Sequence, residues 1–516
     1  MKRDNVHAAV ILVGALLVWE ALGRLTPLGR EVIASPTMIL AQYWTDADLY
    51  VPHVLATVRS ASLGFFFGSL AAVSAAVVFC RFPLLESLWQ GANIALFAMP
   101  AIVVGPVLVL VFSGNLPQII LAALVVYFPT MAAALVGLRD VDPRLVDLIE
   151  VHGGDQNTVL RFVRLRASLP AMLAGLRAGA TLAVLGAILG EFGSGVRWGL
   201  GSFLLGSLGD ANPARLLGIG FAATAIALAG YELFALVGKA SLGATLPVTI
   251  GAGRSPDEIA AQGRLPLWVS ILVAAAAAAL PFVIWALILR VTQISPIIAP
   301  GPIETLSYPL VGPQAADVRA ALGHALGETL PLAGLGLVCG LAVAFAIAAL
   351  SELRPALARA ILPGAMLLQS TPLIALVPLV LLLFGRDAAA STVTAILVVF
   401  FPAYVLLAQG FALTPKPARE LVEAYGGGRL KEFLLVSTPY AASYLFAAAK
   451  LVAPRALLGV MVAEWLLSGK GLGNLINQSR GMLDYDMVWL GAVVSILISV
   501  AAYEAVALIE RRMRTT

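Results

Sequence analysis

Two segments of the chain place an acidic residue and a glycine pair at the same spacing, and basic and apolar residues follow in both. The first reads DLIEVHGGDQNTVLRFVRLRASLP over residues 147–170, and the second reads ELVEAYGGGRLKEFLLVSTPYAAS over residues 420–443. The glycine six residues after the acidic residue favours the end of one helix and the start of another at an angle. The amphipathic stretch that follows is too charged for a bilayer core, so we expect it to lie on the membrane surface and present a face to a partner.

A docking role of these two segments would depend on the acidic residue, the glycine pair, one basic residue and the closing proline of each. In the first segment these are Asp147, Gly153, Gly154, Arg161 and Pro170. In the second segment they are Glu420, Gly426, Gly427, Lys431 and Pro439. The alternative is that both segments are surface helices that only hold their neighbours together.

Basic side chains inside apolar segments form a second group of candidates. Arg177 and Lys450 occupy matching positions in two such segments. A Lys or Arg at mid-bilayer costs roughly 2.5–3.5 kcal/mol, so it usually faces protein or water. A cationic pair along a path through the membrane would suit an anionic solute. The sequence leaves open the alternative that both side chains extend to the membrane surface.

Two glutamates end the same apolar segments and are each followed by a Gly-Leu-Gly run. They are Glu191 before residues 199–201 and Glu464 before residues 471–473. We expect them to cap or brace the glycine-containing loop, with substrate binding as the alternative.

Prolines interrupt a further pair of apolar segments at Pro100 and Pro372, which are candidates for a structural or gating role. Gln369 and Thr371 precede the second proline, whereas the first has only apolar neighbours there. These polar side chains could contact a solute, or they could satisfy backbone groups that the proline leaves unpaired. We favour the second interpretation.

Motifs for catalysis are missing from the sequence. No G-x-x-x-x-G-K-[ST] phosphate loop occurs, and the four histidines form no H-x-x-x-H pair. The cysteines, Cys80 and Cys339, lie in apolar segments without ligand spacing. We therefore expect neither an enzyme nor a chain with its own metal or cofactor.

The composition shows which elements must hold these residues. Hydrophobic residues make up 60% of the 516 residues and charged residues 12%, about half the usual share of a globular protein. So few charges exclude a soluble enzyme, a disordered chain and a secreted disulfide scaffold. The net charge of +4 reflects basic membrane loops rather than binding of nucleic acid.

Apolar blocks of membrane-spanning length recur along the whole chain. With the N-terminus in the cytoplasm, cytoplasmic segments hold 20 of the 33 Lys and Arg residues and the opposite segments hold nine, which places both termini inside. The twelve predicted spans are 6–23, 54–79, 91–112, 116–138, 169–192, 214–237, 267–290, 325–350, 361–384, 389–413, 440–467 and 487–509.

The second half of the chain repeats the first at a nearly constant offset. Leu63-Gly64 matches Leu335-Gly336. Gly153 matches Gly426, where the offset between the halves is larger by a single residue. Each half holds six spans, an even number, so both halves enter the membrane in the same direction. The sequence thus predicts an all-α polytopic protein of 12 transmembrane helices in two parallel six-helix repeats. The predicted units are 1–238 and 267–516, joined by a cytoplasmic linker over 239–266.

The two glycine segments resemble the EAA loop of permeases from binding-protein-dependent ATP-binding-cassette importers. The finer resemblance, over about 30–240 and 295–514, is to the nitrate/sulfonate/taurine type, through the paired prolines, Phe128-Pro129 with Phe401-Pro402, and the Glu-aromatic pairs before Gly-Leu-Gly. Both copies depart from the pattern, because neither keeps the two alanines and Asp147 replaces a glutamate. The family usually has one such unit per chain, and here two are fused.

This resemblance implies the fold of a type I importer permease in a bacterial inner membrane. The loops would dock on two copies of a cytoplasmic ATPase, and these ATPase subunits would bind ATP-Mg. An extracytoplasmic binding protein would deliver a small anionic or zwitterionic solute. Related permeases also serve bicarbonate, pyrimidine vitamin precursors and aromatic acids. The rival interpretation is an ion-coupled carrier with six plus six parallel spans, but residues 80–86 lack the loop motif typical of that class.

Overall fold

In the computed structural model, all regular secondary structure of the described residues is helical. These residues are 2–26, 34–210, 212–242, 267–354, 377, 380, 383–385 and 387–514.

The helices of the first half are numbered in chain order. They are α1 (Lys2–Leu25), α2 (Pro36–Thr45), α3 (Ala47–Arg81), α4 (Pro83–Ala98), α5 (Ala101–Val111), α6 (Leu116–Arg139), α7 (Pro143–Val151), α8 (Gln156–Val159), π1 (Leu160–Arg164), α9 (Leu165–Ala167), α10 (Leu169–Ser194), α11 (Leu200–Ser207) and α12 (Pro213–Leu242).

The numbering continues through the second half. Its helices are α13 (Leu267–Thr292), α14 (Pro302–Ser307), α15 (Ala315–Leu353), α16 (Ala388–Ala412), α17 (Lys416–Ala424), α18 (Arg429–Glu432), π2 (Phe433–Ser437), α19 (Thr438–Ala463), π3 (Glu464–Ser468), α20 (Gly471–Gly481) and α21 (Tyr485–Arg514).

The described residues contain nine helices long and apolar enough to cross a membrane, or ten if one bent pair is a single span. All of them lie at predicted spans, but the predicted total of twelve is not reached. The helix α1 stands at the first predicted span, and most of the ninth, 361–384, lies outside the described residues.

The third predicted span, 91–112, is divided between two helices, as expected of an apolar segment that Pro100 interrupts. The chain bends by 102° between α4 and α5. Pro100 causes the break, because the residue before a proline is driven out of the helical region. Met99 accordingly takes an extended backbone, with φ −63° and ψ 121°.

Contacts divide the chain into two compact units, and each unit is discontinuous in sequence. One comprises residues 1–56, 195–224 and 313–516, and its core gathers around the buried side chains of Tyr404, Leu407 and Phe411. The other comprises residues 57–194 and 225–312, and its core includes Phe79 and Leu138. The boundaries drawn from the repeat, 1–238, 239–266 and 267–516, stay a prediction, and residues 243–266 lie outside the described part.

Small residues let the long helices pack closely at matched places in the two halves. A Cβ atom on Gly68 of α3 would lie 2.6 Å from the Ala123 oxygen of α6. A Cβ atom on Gly340 of α15 would lie 2.6 Å from Val399 Cγ1 of α16. Gly64 and Gly336 lie four residues before Gly68 and Gly340 on the same helices. Close backbone approach at small residues with this spacing is a common way to pack membrane helices together.

Replacing Gly340 with leucine should separate α15 from α16 and destabilise the chain by about 1–3 kcal/mol, the usual cost of overpacking. The matched control is Gly334→Leu on the same helix, where nothing lies within 4 Å of the added Cβ position. The thermal unfolding midpoint of the detergent-purified chain measures the difference. Equal midpoints for the two variants would contradict the close packing at Gly340.

Candidate functional site: the paired loops

The two glycine segments form loops with the same backbone, residue for residue. In the first loop (143–168), α7 ends before Gly153, whose φ is +79°. In the second loop (416–441), α17 ends before Gly426, whose φ is +74°. With Gly153 aligned on Gly426, every helix boundary of the first loop recurs in the second as far as the end of the π-helix.

A pair of backbone hydrogen bonds closes each helix in the Schellman arrangement. Gly154 N–H donates to the Ile149 carbonyl at 2.9 Å, and Gly153 N–H donates to the Glu150 carbonyl at 2.9 Å. A Cβ atom on Gly154 would collide with the Ile149 side chain, so both glycines are needed. The second loop repeats both bonds with Gly427 to Val422 at 2.8 Å and Gly426 to Glu423 at 2.9 Å.

Each loop then passes through a π-helix that sequence reasoning missed. The short α8 leads into π1 (Leu160–Arg164), and α18 leads into π2 (Phe433–Ser437). A π-turn holds one more residue than an α-turn and is common at functional sites. The hydrophobic pattern carries no signal for it, because one extra residue does not change which side chains are apolar.

The loops expose apolar side chains along α7 and α17 and in the π-helices. Leu148 is 55% exposed and its match Leu421 is 58% exposed. Phe162 and its match Leu435 are 50% and 68% exposed. The two loops therefore share exposed apolar side chains at matched positions.

Both loops are anchored at the same position of a long helix, but through different chemistry. In the first loop, Arg164 Nη1 donates to Cys80 Sγ at 3.1 Å, close to the end of α3. In the second loop, Arg419 binds Glu352 at 2.9 Å, close to the end of α15, and also reaches Glu432 at 3.5 Å. Cys80 and Glu352 occupy matching positions in the two halves, so the repeat keeps the anchor point and changes the partners.

The remaining predicted loop residues lie on the loop surface or at its exit. Asp147 and Glu420 are exposed on α7 and α17, and Lys431 is exposed on α18. Exposed Arg161 in π1 places its guanidinium 5.6 Å from the Phe162 ring centroid. Pro170 and Pro439 stand in the first turns of α10 and α19, where a missing N–H is tolerated.

Asp155 caps the helix that follows the glycines of the first loop, a role that sequence analysis did not assign to it. Its Oδ1 accepts hydrogen bonds from Thr158 N–H at 2.8 Å and Thr158 Oγ1 at 2.6 Å. The Thr158 hydroxyl, and then its N–H, lower the pKa of Asp155 below its ordinary value. The second loop has Gly428 at the matching position and no side-chain cap.

Replacing Asp155 with alanine should therefore loosen the first loop only. We expect the amides of residues 156–160 to exchange hydrogen severalfold faster, while residues 429–433 serve as an internal control. Asp155→Asn keeps an acceptor and should stay close to the wild type. Since the folded pKa is lowered, the cap contributes fully above the ordinary value of about 3.9 and is lost as the pH falls below it. Unchanged exchange in the alanine variant would overturn the cap.

The predicted bracing glutamates make matched buried hydrogen bonds at the other end of α10 and α19. Thr329 Oγ1 donates to Glu464 Oε1 at 2.7 Å, and Gly473 N–H donates to Glu464 Oε2 at 2.9 Å. The Leu472 N–H completes the group by donating to Thr329 Oγ1 at 2.8 Å. We call Glu464, Thr329 and these two amides the glutamate clasp. In the first half Thr57 Oγ1 donates to Glu191 Oε1, also at 2.7 Å.

The matched basic residues Arg177 and Lys450 each contact the last long helix of their half, but with different partners. The Arg177 guanidinium lies 4.2 Å from the centroid of the Tyr231 ring in α12. Lys450 Nζ forms an ion pair with Glu510 Oε2 of α21 at 2.5 Å. The structure therefore ties the two side chains to neighbouring helices.

The proline candidates are described only in the first half. Pro100 stands at the 102° bend between α4 and α5. Gln369, Thr371 and Pro372 lie outside the described residues.

Fold and loops together define a multi-pass helical membrane protein that carries two copies of one loop-bearing unit. The family model of the binding-protein-dependent transport system inner membrane component matches residues 64–241 and again residues 326–515. The chain belongs to this family and contains its domain twice. It is thus an inner-membrane permease component of an ATP-binding-cassette transporter, and not itself the catalyst.

Individual relatives each match less than half of this chain. A probable ABC transporter permease protein of Haemophilus influenzae is 30% identical over 219 residues, 42% of this chain and 87% of the relative. The riboflavin transport system permease protein RibX of Chloroflexus aurantiacus is 28% identical over 198 residues, 38% of this chain and 74% of RibX. The taurine transport system permease protein TauC of Escherichia coli is 24% identical over 246 residues, 46% of this chain and 85% of TauC.

Proposed function

We propose that this chain forms the complete transmembrane path of an ATP-driven importer, with its two loops docked on two cytoplasmic ATPase subunits. The observation that carries the proposal is the shared backbone of the loops, each with a left-handed glycine, a short helix and a π-helix at matching positions of the two halves. Exposed apolar side chains at matched positions, such as Leu148 and Leu421, supply the contact surface. Two equal loops in one chain fit two ATPase subunits.

The division of labour follows from what the sequence lacks. Without a phosphate loop of its own, the chain depends on the ATPase subunits to bind ATP-Mg. Closure of those subunits would move the docked loops and switch the path between inward-open and outward-open states. Both termini and both loops would then face the cytoplasm, as the distribution of Lys and Arg predicts.

For the cargo we propose a small anionic or zwitterionic solute, delivered by an extracytoplasmic binding protein. Taurine, the solute named for one relative, carries a sulfonate, and the nitrate/sulfonate/taurine resemblance of the sequence points the same way. Riboflavin, the solute named for another relative, is bulkier.

The fixed charges contribute unequally to this path. The Glu510 carboxylate offsets the charge of Lys450, so we assign Lys450 to holding α19 against α21. Arg177 faces an aromatic ring instead of a carboxylate, so it keeps its charge available. We assign Glu191 and Glu464 to bracing, and Gln369 and Thr371 stay candidates for solute contact.

Purification of the tagged chain from its native membrane in a gentle detergent tests the proposal. We expect a phosphate-loop ATPase at about two copies per chain, identified and counted by mass spectrometry. A chain that purifies alone, and still takes up solute on an ion gradient, would replace the importer with the ion-coupled carrier.

A further inference from the structure

One face of α19 stays open along an otherwise buried stretch of the helix. Between residues 451 and 463 the side chains that are not fully buried are Leu451, Arg455 and Leu458. Their spacing of four and three residues places them in one stripe. The stripe therefore presents a single partly exposed surface within the membrane-spanning part of the helix.

The same stripe exists in the first half of the chain, where it is uncharged. At the matched positions of α10 stand Ala178, Leu182 and Leu185, and all three are exposed or half-buried. The repeat thus keeps the open face and replaces Leu182 with the cation of Arg455. Open faces at matched positions in two copies of a permease domain indicate a surface that the fold needs.

Arg455 differs from the other basic residues of these helices in having no partner. Within the described part of the chain it makes no hydrogen bond, ion pair or ring contact. Lys450 is paired with Glu510, and Arg177 lies against Tyr231. Arg455 is therefore a guanidinium with all its donors available.

The position of Arg455 prevents it from reaching a membrane surface. At about 1.5 Å per residue, it lies roughly 26 Å along α19 from Thr438 and roughly 12 Å before Ala463. Helical side chains lean toward the N-terminus, so Arg455 extends away from the nearer end and toward the middle of the membrane. A cation there is stable only beside water or an anion, and not in lipid.

We propose that Arg455 is the residue at which the transport path binds the negatively charged group of the cargo, an oxyanion such as a sulfonate or carboxylate. A planar guanidinium binds such a group through two parallel hydrogen bonds, which makes it selective for oxyanions over uncharged solutes. This inference rests on the proposed transport function. It places this contact in the second half, because Leu182 at the matched position of the first half has no polar group.

Cysteine reactivity tests whether the stripe meets water and whether Arg455 attracts anions there. Leu451→Cys, one turn before Arg455, is made in the full chain with Cys80→Ser and Cys339→Ser. The probes are the anionic 2-sulfonatoethyl and the cationic 2-(trimethylammonio)ethyl methanethiosulfonates, the first of which is itself a sulfonate. Ala178→Cys in the first half is the matched control, since Leu182 stands there in place of Arg455.

We expect the ratio of anionic to cationic reaction rates at Leu451→Cys to exceed that at Ala178→Cys by about tenfold, as fixed charge raises local counter-ion concentration. Adding Arg455→Gln should reduce the ratio to the control value, and Arg455→Lys should keep most of it. If Arg455→Gln does not fold, the proposal is tested by the reaction-rate ratio of the Arg455→Lys variant and by the difference in ratio between Leu451→Cys and Ala178→Cys. Equal ratios at the two positions, or a Leu451→Cys that reacts with neither probe, would overturn the proposal.

The two proposals fail in different ways. Loss of the importer assignment appears as a purified chain without an ATPase, whatever the reactivity ratio. Loss of the Arg455 assignment appears as an unchanged ratio in a chain that still carries its ATPase subunits.

Discussion

Replacing Gly153 and Gly426 together with valine is expected to lower solute uptake per ATP hydrolysed by about tenfold or more. Both glycines adopt a left-handed backbone, at φ +79° and +74°, which costs a residue with a side chain roughly 1–2 kcal/mol. Valine is branched at Cβ and suits this region least. Both loops would then lose the turn that orients the docking helix, while the spans still insert.

The control is the double variant Gly153→Asn and Gly426→Asn, because asparagine tolerates the left-handed backbone. Nothing lies within 4 Å of an added Cβ atom at either glycine, so any difference between the two variants reports backbone strain and not a collision. Uptake into vesicles is measured with a solute that the wild type accumulates, beside ATP hydrolysis. Normal coupling in the valine variant would remove the loops from the mechanism.

Replacing Glu464 with alanine is expected to be the most destabilising change in the second half. It leaves Thr329 Oγ1 and the Gly473 N–H without the carboxylate that accepts both. Each buried polar group left unpaired costs about 1–3 kcal/mol. Because Glu464 is 2% exposed and Thr329 is fully buried, water does not easily replace the lost bonds.

Three further variants separate the clasp from a general effect of removing glutamate. Thr329→Val removes the bond to Glu464 and the bond from the Leu472 N–H, so it should lower the unfolding temperature as well. Glu191→Ala should weaken the first half through its bond to Thr57. Exposed Glu423→Ala should leave the unfolding temperature unchanged. An unfolding temperature for Glu464→Ala equal to that of Glu423→Ala would contradict a stabilising clasp.

The spans and the repeat were the parts that sequence could predict well. Long apolar blocks and the nearly constant offset between the halves depend on composition and spacing alone, and nine predicted spans are helices in the described residues. The glycine-marked end of each loop helix was predictable for the same reason, since Gly153 and Gly426 are the residues that a left-handed turn requires. The family comparison then confirms the two permease domains.

Features set by partners distant in sequence could not be predicted. The bond between Thr57 and Glu191 joins residues 134 positions apart, although the threonine repeats at Thr329 and the offset alone could have indicated it. Whether Pro100 bends a helix by 102° or is accommodated within it depends on packing that the pattern does not contain. Arg455 was visible as a charge in a span, but its lack of a partner among the residues that the structure describes is a property of the folded chain.

The most direct measurement is photo-crosslinking from benzoylphenylalanine placed singly at Leu148, at Leu421 and at Leu483. The first two positions are exposed on the loops, and Leu483, 68% exposed, follows α20 beyond the far end of α19. Irradiation in native membranes should link the ATPase to Leu148 and to Leu421, and not to Leu483. An ATPase linked at Leu483, or at none of the three positions, would contradict docking through the paired loops.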